Sequence, residues 1–435
     1  MTGSTALLTD HYELTMLQAA LAAGTAERRC VFELFSRSLP DGRRYGVLAG
    51  VGRALEALES FRFEEESLAA LDGVVDDRTL SWLASYRFSG DVRGYAEGET
   101  YFPGSPLLQV ESSFAEAVLL ETLLLSIYNH DSAIAAAASR MTRAAGERPC
   151  IEMGSRRTHE EAAVAAARAA YVAGFEATSN LAARQRWGVP STGTSAHSFT
   201  LLHDSEADAF RAQVDSLGVG TTLLVDTYDV AEAVRLGVEV AGPGLGAVRL
   251  DSGDLAVLAH QVRAQLDSLG AQETRIVVTS DLDEYAIAAL AAAPVDGYGV
   301  GTQLVTGSGH PTCGMVYKLV AREDRHGDLE PVAKRSSKKA SFGGRKWAQR
   351  RIGADGWAEA EVVGTGEAPA PGADSRDLLV DLVRGGEVVG REPLAQARER
   401  HHASREELPL AAQSLGRGRP VLPTERVDAA APARG

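Results

Sequence analysis

Between Cys150 and Val300 the chain repeats one pattern: a short apolar run, a turn of small and polar residues, then a longer stretch of helical character. The apolar runs are Cys150 to Met153, Ala177-Thr178, Thr222 to Val225, Ala247 to Leu250, Arg275 to Val278 and Tyr298 to Val300. Strands alternating with helices of about ten to fifteen residues predict parallel strand–helix–strand units. Their number favours a closed or nearly closed α/β barrel, with a doubly wound sheet as the alternative. Thr158 and Glu161 predict a capping box at the first helix, which ends at Gly174.

The flanks follow another rhythm. Thr9 or Asp10 caps a helix carrying Tyr12, Leu14, Met16 and Leu17. Cys30 to Phe35 alternates in period two, as a strand does. Helices are expected over Val47 to Phe61 and Glu64 to Leu71, and strands near Val92 to Ala96 and Leu107 to Glu111. Ser112 or Ser113 starts a helix through Tyr128, and His130-Asp131-Ser132 leads into an alanine-rich helix ending at Ala145-Gly146. After Val305 come a loop, a strand over Met315 to Ala321, a basic segment from Lys334 to Lys346, and a hairpin over Arg376 to Val389 turning at Arg384 to Glu387. The expected division is an α+β domain over 1–130 completed by 306–416, a barrel over 131–305, and a loosely held tail over 417–435.

With 435 residues, 45% apolar and 24% charged, the chain is long enough for a large core and two domains. Its net charge of −15 argues against nonspecific binding to nucleic acid or an anionic membrane. It leaves room for an anionic small substrate held by a few arginines in a cleft. Cys30, Cys150 and Cys313 show neither a metal-ligand spacing nor a disulfide framework, so a reducing cytoplasm is the expected setting. Met1 to Leu8 does not read as a signal peptide, and the most apolar stretch, Ala117 to Tyr128, is interrupted by Glu121.

Candidate chemistry gathers at the carboxyl ends of the expected barrel strands, where such folds place their sites. Those ends supply Arg156, Ser179, His197, Asp226, Arg249, Asp251, Ser280, Asp281, Gly299, Gly301 and Thr302, residue types suited to phosphates and sugars. His197, in Gly193-Thr194-Ser195-Ala196-His197-Ser198-Phe199, offers an imidazole among small hydroxyl-bearing neighbours, reactive near neutral pH. A structural histidine is the plainer reading. Arg249 and Asp251 point to the same side of a strand, an arrangement that also suits a simple ion pair. Asp254 either joins Asp251 at a ribose or magnesium shell or caps the next helix. Gly299-Val300-Gly301-Thr302 offers bare N–H groups and a hydroxyl to a phosphate, or simply allows tight packing. Lys334, Lys338, Arg345 and Lys346 form either a solvated basic loop or a lid over polyphosphate. A Walker loop and an early G-x-G-x-x-G are both missing.

In this order the motifs resemble the nicotinate phosphoribosyltransferases. The matching pieces are Leu8-Thr9-Asp10 with Tyr12, Phe32 to Phe35 with Arg37, Glu121 to Leu125, Gly154 to Arg157, Thr178-Ser179-Asn180, Ala196-His197-Ser198, Asp226 to Asp229, Arg249 to Asp254 and Gly299 to Thr302. The resemblance implies an irregular α/β barrel with a smaller α+β domain built from the N-terminal and C-terminal segments, in a head-to-tail homodimer. It implies transfer of phosphoribose from 5-phosphoribosyl-1-pyrophosphate to nicotinate, with pyrophosphate released, coupled to ATP hydrolysis through a phosphohistidine and assisted by Mg²⁺.

Residue by residue, the resemblance makes His197 the phosphate acceptor and Asp226 its orienting carboxylate. It assigns nicotinate to Arg156, Ser179, Arg249 and Tyr12 of the partner subunit. The phosphoribosyl group and its phosphates fall to Asp251, Gly253, Ser280, Asp281, Gly299, Gly301, Thr302 and Arg37 of the partner subunit. Mg²⁺ would ride mainly on substrate phosphates, without a direct protein ligand. Nicotinamide-using relatives carry Asp where Ser179 stands, so a neutral Ser favours nicotinate. Met153 replaces their second stacking aromatic, and Glu176-Ala177 departs from the family's small residues. Rival readings are a nicotinamide or quinolinate phosphoribosyltransferase, a family member serving as a non-catalytic scaffold, and a phosphosugar aldolase, the last weakened by the lack of a strand-end Lys.

Overall fold

The computed structural model describes residues 3–334 and 342–427. The chain divides into two compact units, Met1–Ala136 with His310–Gly435, and Ala137–Gly309.

In the middle unit six parallel strands pair in the order Ala177–Thr178, Cys150–Glu152, Gly297–Val300, Arg275–Val278, Ala247–Leu250, Thr222–Leu224. The last of these in the chain, Gly297–Val300, lies beside the first, Cys150–Glu152, with Gly299 opposite Ile151. Neighbours otherwise follow chain order, so the sheet winds one way around as an irregular barrel does; a doubly wound sheet would reverse direction partway. A single parallel bridge from Thr178 to Ser191 extends it further. The ladder is then interrupted until Thr222, and His197 lies in that interval. Helices between strands carry alanine-rich buried faces, as in Glu160–Val172, which lets helix and sheet approach closely. Its cap is His159, whose Nδ1 accepts from Glu161 N at 3.3 Å, rather than the expected Thr158.

The other unit is α+β and holds the greater part of the chain, where the sequence suggested the lesser. Its seven-stranded antiparallel sheet runs Leu329–Pro331, Met315–Glu323, Arg29–Ser36, Leu108–Ser113, Asp91–Tyr95, Leu379–Arg384, Glu387–Val388. The expected hairpin turns at Gly385-Gly386. Phe32 stacks on Tyr317 at 5.0 Å between ring centroids, joining the two chain segments in one core. Ser113 caps only a short helix, Phe114–Val118. A second helix, Glu121–Ala145, runs through His130-Asp131-Ser132, where a break was expected. Neither Gly nor Pro interrupts it, and the polar side chains there find tertiary partners: Asp131 Oδ1 accepts from Arg53 Nη1 at 2.7 Å.

A second sheet in this unit pairs Ser375–Asp377, Lys346–Ile352, Ala358–Thr365 and Thr424–Val427. Its last strand lies within the stretch expected to be a loose tail; residues 424–427 are instead laddered in parallel to Ala358–Thr365. Beneath the sheet Arg350, fully buried, donates to Glu361 at 2.7 Å and to Thr100 O at 2.8 Å, and Arg376 forms a two-pronged pair with Glu99. The helix Leu394–Glu406 brings buried His401 within 3.2 Å of Gly98 O. Among the described residues, no helix is long and apolar enough to cross a membrane.

The lid reading of Lys334 to Lys346 does not suit its last two members. Lys346 starts a strand and is buried, its Nζ 2.6 Å from Glu33, while Arg345 pairs with Glu111 at 2.9 Å. Lys334 is exposed. Residues 335–341, with Lys338, lie outside the described residues.

Candidate active site

The parallel strands end at one rim, and their last residues bound a cleft of about 250 Å³ lined by Met153, Arg156, Arg157, Asp251, Thr279, Ser280, Asp281, Gly299, Gly301 and Thr302. Arginines, carboxyls, hydroxyls and bare glycine backbone thus share one small space. Gly299 keeps it open: a Cβ there would lie 2.5 Å from Thr279 Cγ2 and 2.8 Å from Met153 Sδ. Ser280 is held at φ +133°, a conformation that costs a non-glycine residue about 1–3 kcal/mol and is commonly met at ligand sites.

A second cluster adjoins the cleft. His197 begins a short helix, His197–Leu202, where a strand end was expected. Its Nδ1 lies 3.2 Å from Thr227 Oγ1, and its Nε2 lies 3.9 Å from Asp226 Oδ1. Asp226 Oδ2 accepts from Asp251 N at 3.0 Å and from Ser252 Oγ at 2.7 Å, whereas its buried Oδ1 has no hydrogen-bond partner. Desolvating an unpaired carboxylate oxygen is unfavourable, and the half-exposed imidazole of His197 lies beside it. Asp251 Oδ1 accepts from Thr279, which ties this cluster to the cleft.

Arg249 donates from Nη1 to Thr194, so the strand end is fastened to the loop carrying His197. Burial lowers its pKa, Asp251 and Asp226 oppose that shift, and the nearby Arg156 adds to it. Its Nε is buried without a partner. Two guanidiniums close enough to disfavour each other, one with unused donor capacity, make a place for an anion.

The structure brings together Arg156, Asp251, Ser280, Asp281, Gly299, Gly301 and Thr302 in the cleft, with His197, Asp226 and Arg249 alongside. Ser179 is exposed at the end of the adjacent strand, its N donating to Glu152 O at 2.8 Å. Gly253 sits in the turn after Asp251, outside the cleft lining, and Asp254 caps the helix Leu255–Ser268, its plainer reading. Tyr12 and Arg37 belong to the other unit; Tyr12 is exposed on the helix His11–Ala23, and Arg37 follows the strand Arg29–Ser36. Contributors that escaped the sequence reading include Thr227 against the imidazole, Thr279 against Asp251, Thr194 against Arg249, Arg157 in the cleft lining and Glu152 beneath the rim. Thr227 was signalled by its place beside Asp226. Glu152 looked like an ordinary strand residue.

Among the described residues, no cluster of three or more His, Cys, Asp or Glu side chains has a metal-holding arrangement. Asp251 and Asp281 are the carboxyls facing the cleft.

Comparison with known proteins gives a consistent answer. A family model described as the nicotinate phosphoribosyltransferase (NAPRTase) N-terminal domain matches residues 7–129. The chain is 58% identical over 432 residues to nicotinate phosphoribosyltransferase pncB1 of Mycobacterium tuberculosis, covering 97% of this chain and 95% of that protein. It is 38% identical over 363 residues to the nicotinate phosphoribosyltransferase of Bacillus subtilis, covering 80% and 74%. The fold matches the crystal structure of human nicotinic acid phosphoribosyltransferase with a TM-score of 0.83 at 27% identity, covering 97% of each chain.

Proposed function

Since the chain belongs to the nicotinate phosphoribosyltransferase family, we propose that it joins nicotinate to 5-phosphoribosyl-1-pyrophosphate, releasing pyrophosphate and nicotinate mononucleotide, as a salvage step toward NAD. The observation that carries this is the pairing of Arg156 and Arg249 across a rim that also presents hydroxyls, carboxyls and glycine N–H groups. Arg249 serves the pyridine carboxylate, while Arg156 joins Ser280, Asp281, Gly299, Gly301 and Thr302, beside which it lines the cleft, in holding the phosphoribosyl group and its phosphates. In the transfer, the pyridine nitrogen forms a bond to the anomeric carbon as the bond to pyrophosphate breaks. The sugar becomes cationic on the way, and Asp251 stabilises that charge. Neutral Ser179 leaves room for a carboxylate that an Asp would repel.

ATP enters through His197: a ring nitrogen takes the γ-phosphoryl group as ADP leaves, Asp226 stabilises the ring's cationic state, and water then takes the phosphoryl group, releasing phosphate and restoring the imidazole. The unpaired Oδ1 of Asp226 supports this role. Mg²⁺, when bound, would ride mainly on the substrate phosphates and supply charge neutralisation to pyrophosphate, with Asp251 and Asp281 the carboxyls facing that cleft. A homodimer completes the reading, with Tyr12 of the partner subunit stacking on the pyridine and Arg37 of the partner subunit near the phosphates. A cytoplasmic setting suits three buried, unbridged cysteines.

The test is mononucleotide formation by the purified protein with donor and Mg²⁺, offering nicotinate or nicotinamide, with and without ATP, beside His197→Ala. Nicotinate-specific product, stimulated by ATP in the wild type only, is expected. Product from nicotinamide would overturn the role of Ser179, and equal stimulation of His197→Ala would overturn the phosphohistidine.

A further inference from the structure

We propose that Glu152 is a positioning residue that holds the arginine loop and the Ser179 turn in fixed register, and so couples the phosphate and pyridine halves of the site. Glu152 closes the strand Cys150–Glu152 and is fully buried. Its Oε1 accepts from Gly154 N, and its Oε2 accepts from the hydroxyl of Thr178. The same Thr178 Oγ1 accepts from Asn180 N at 2.9 Å. Asn180 then reaches back, its Nδ2 donating to Ser155 Oγ at 3.0 Å, while its Oδ1 caps the helix Leu181–Trp187 by accepting from Ala183 N at 2.9 Å. The result is a closed circuit, Glu152 to Thr178 to Asn180 to Ser155 and back through Gly154. Arg156 leaves this circuit on one side and Ser179 on the other.

The chemistry of the circuit requires a carboxyl with two acceptor oxygens, because both of its partners donate. Burial drives its pKa up, and the groups opposing that shift are the hydrogen bonds from Thr178 and Gly154, neither of them a cation. A core carboxyl without a cationic partner is unfavourable for stability. Its place between two loops that meet substrate supplies a reason for its presence. Gln cannot reproduce it, since an amide offers one acceptor, and turning the hydroxyl of Thr178 to accept from the amide gives up the present polarity.

This inference rests on the reading of the cleft as a phosphoribosyl-transfer site, so wild-type turnover with nicotinate is measured first; no turnover would overturn that reading and the coupling role with it, whereas turnover with unchanged variants would overturn the coupling role alone. With turnover in hand, KM for nicotinate, KM for the donor and kcat are compared for Glu152→Gln, Thr178→Val and Thr178→Ser. Thr178→Val cuts only the arm to the Ser179 turn, and is expected to raise KM for nicotinate about tenfold with KM for the donor within about twofold. Thr178→Ser keeps the hydroxyl and is expected to restore the wild-type value. Glu152→Gln loosens both arms and is expected to raise both KM values. Loss of thermal stability in these variants with unchanged KM values would overturn the proposal, as would Thr178→Ser behaving like Thr178→Val.

Discussion

At the scale of single residues, the site is held by groups with something left unsatisfied. Arg249 has a buried Nε with no partner beside a second guanidinium, so its fork geometry matters as well as its charge. Arg249→Lys keeps the charge and loses the fork; KM for nicotinate is expected to rise on the order of tenfold or more, and steady-state kinetics giving an unchanged value would remove Arg249 from the carboxylate. Ser280 holds a backbone conformation that glycine adopts freely. Ser280→Gly is therefore expected to gain about 1 kcal/mol of stability while raising KM for the donor, checked by denaturant unfolding beside kinetics. Much of this residue set was legible in the sequence because strand-end polar residues stand out against apolar runs. Thr227, Thr279 and Glu152 were not, because a hydroxyl or a buried carboxyl acquires its meaning from a partner distant in sequence.

At the scale of elements, spacing between strand ends sets the width of the cleft. Gly299→Ala would place a methyl group 2.5 Å from Thr279 Cγ2 and 2.8 Å from Met153 Sδ. Met153 can swing aside, but the β-branched Thr279 cannot, so a loss of about 1–3 kcal/mol is expected with a raised KM for the donor. A variant as stable and active as the wild type would show the strands to be freer than their packing implies. In the other unit, Arg350→Ala would leave Glu361 and Glu99 buried around a missing cation, with an expected cost of about 3–5 kcal/mol in the unfolding free energy. The barrel strands were legible because a period-two or all-apolar run of fixed length followed by a small-residue turn recurs. The strand Thr424–Val427 and the helix Leu394–Glu406 were not. Both are polar along most of their length, and their order comes from a ladder and a buried histidine rather than from an apolar stripe. The continuous helix over Glu121–Ala145 was misread because its polar interior resembles a cap until Arg53 is placed beside Asp131.

At the scale of the whole molecule, His401 contributes to the loss of stability in acid. Burial, with Arg405 adding to it, lowers its pKa from 6.5 to about 3. Between those values the unfolded chain binds a proton that the folded chain refuses, so stability present above pH 6.5 is lost as pH falls toward about 3. The slope is about 1.4 kcal/mol per pH unit, and His401→Gln is expected to flatten it; melting temperatures that fall in parallel for both proteins would assign the acid loss elsewhere. The division of the chain has a further consequence, for synthesis on the ribosome. Every strand of the parallel sheet lies within Ala137–Gly309, so its partners have all been made once that stretch has emerged. The α+β unit has no such privilege. Its strand Arg29–Ser36 is among the first to be made, yet one of its neighbours, Met315–Glu323, follows nearly three hundred residues later. A translating chain therefore carries an open β edge for most of its synthesis, the kind of surface that invites pairing with other nascent chains. The parallel sheet can thus close before the antiparallel one, and the strand Arg29–Ser36 is the one most in need of protection until Met315–Glu323 has been made.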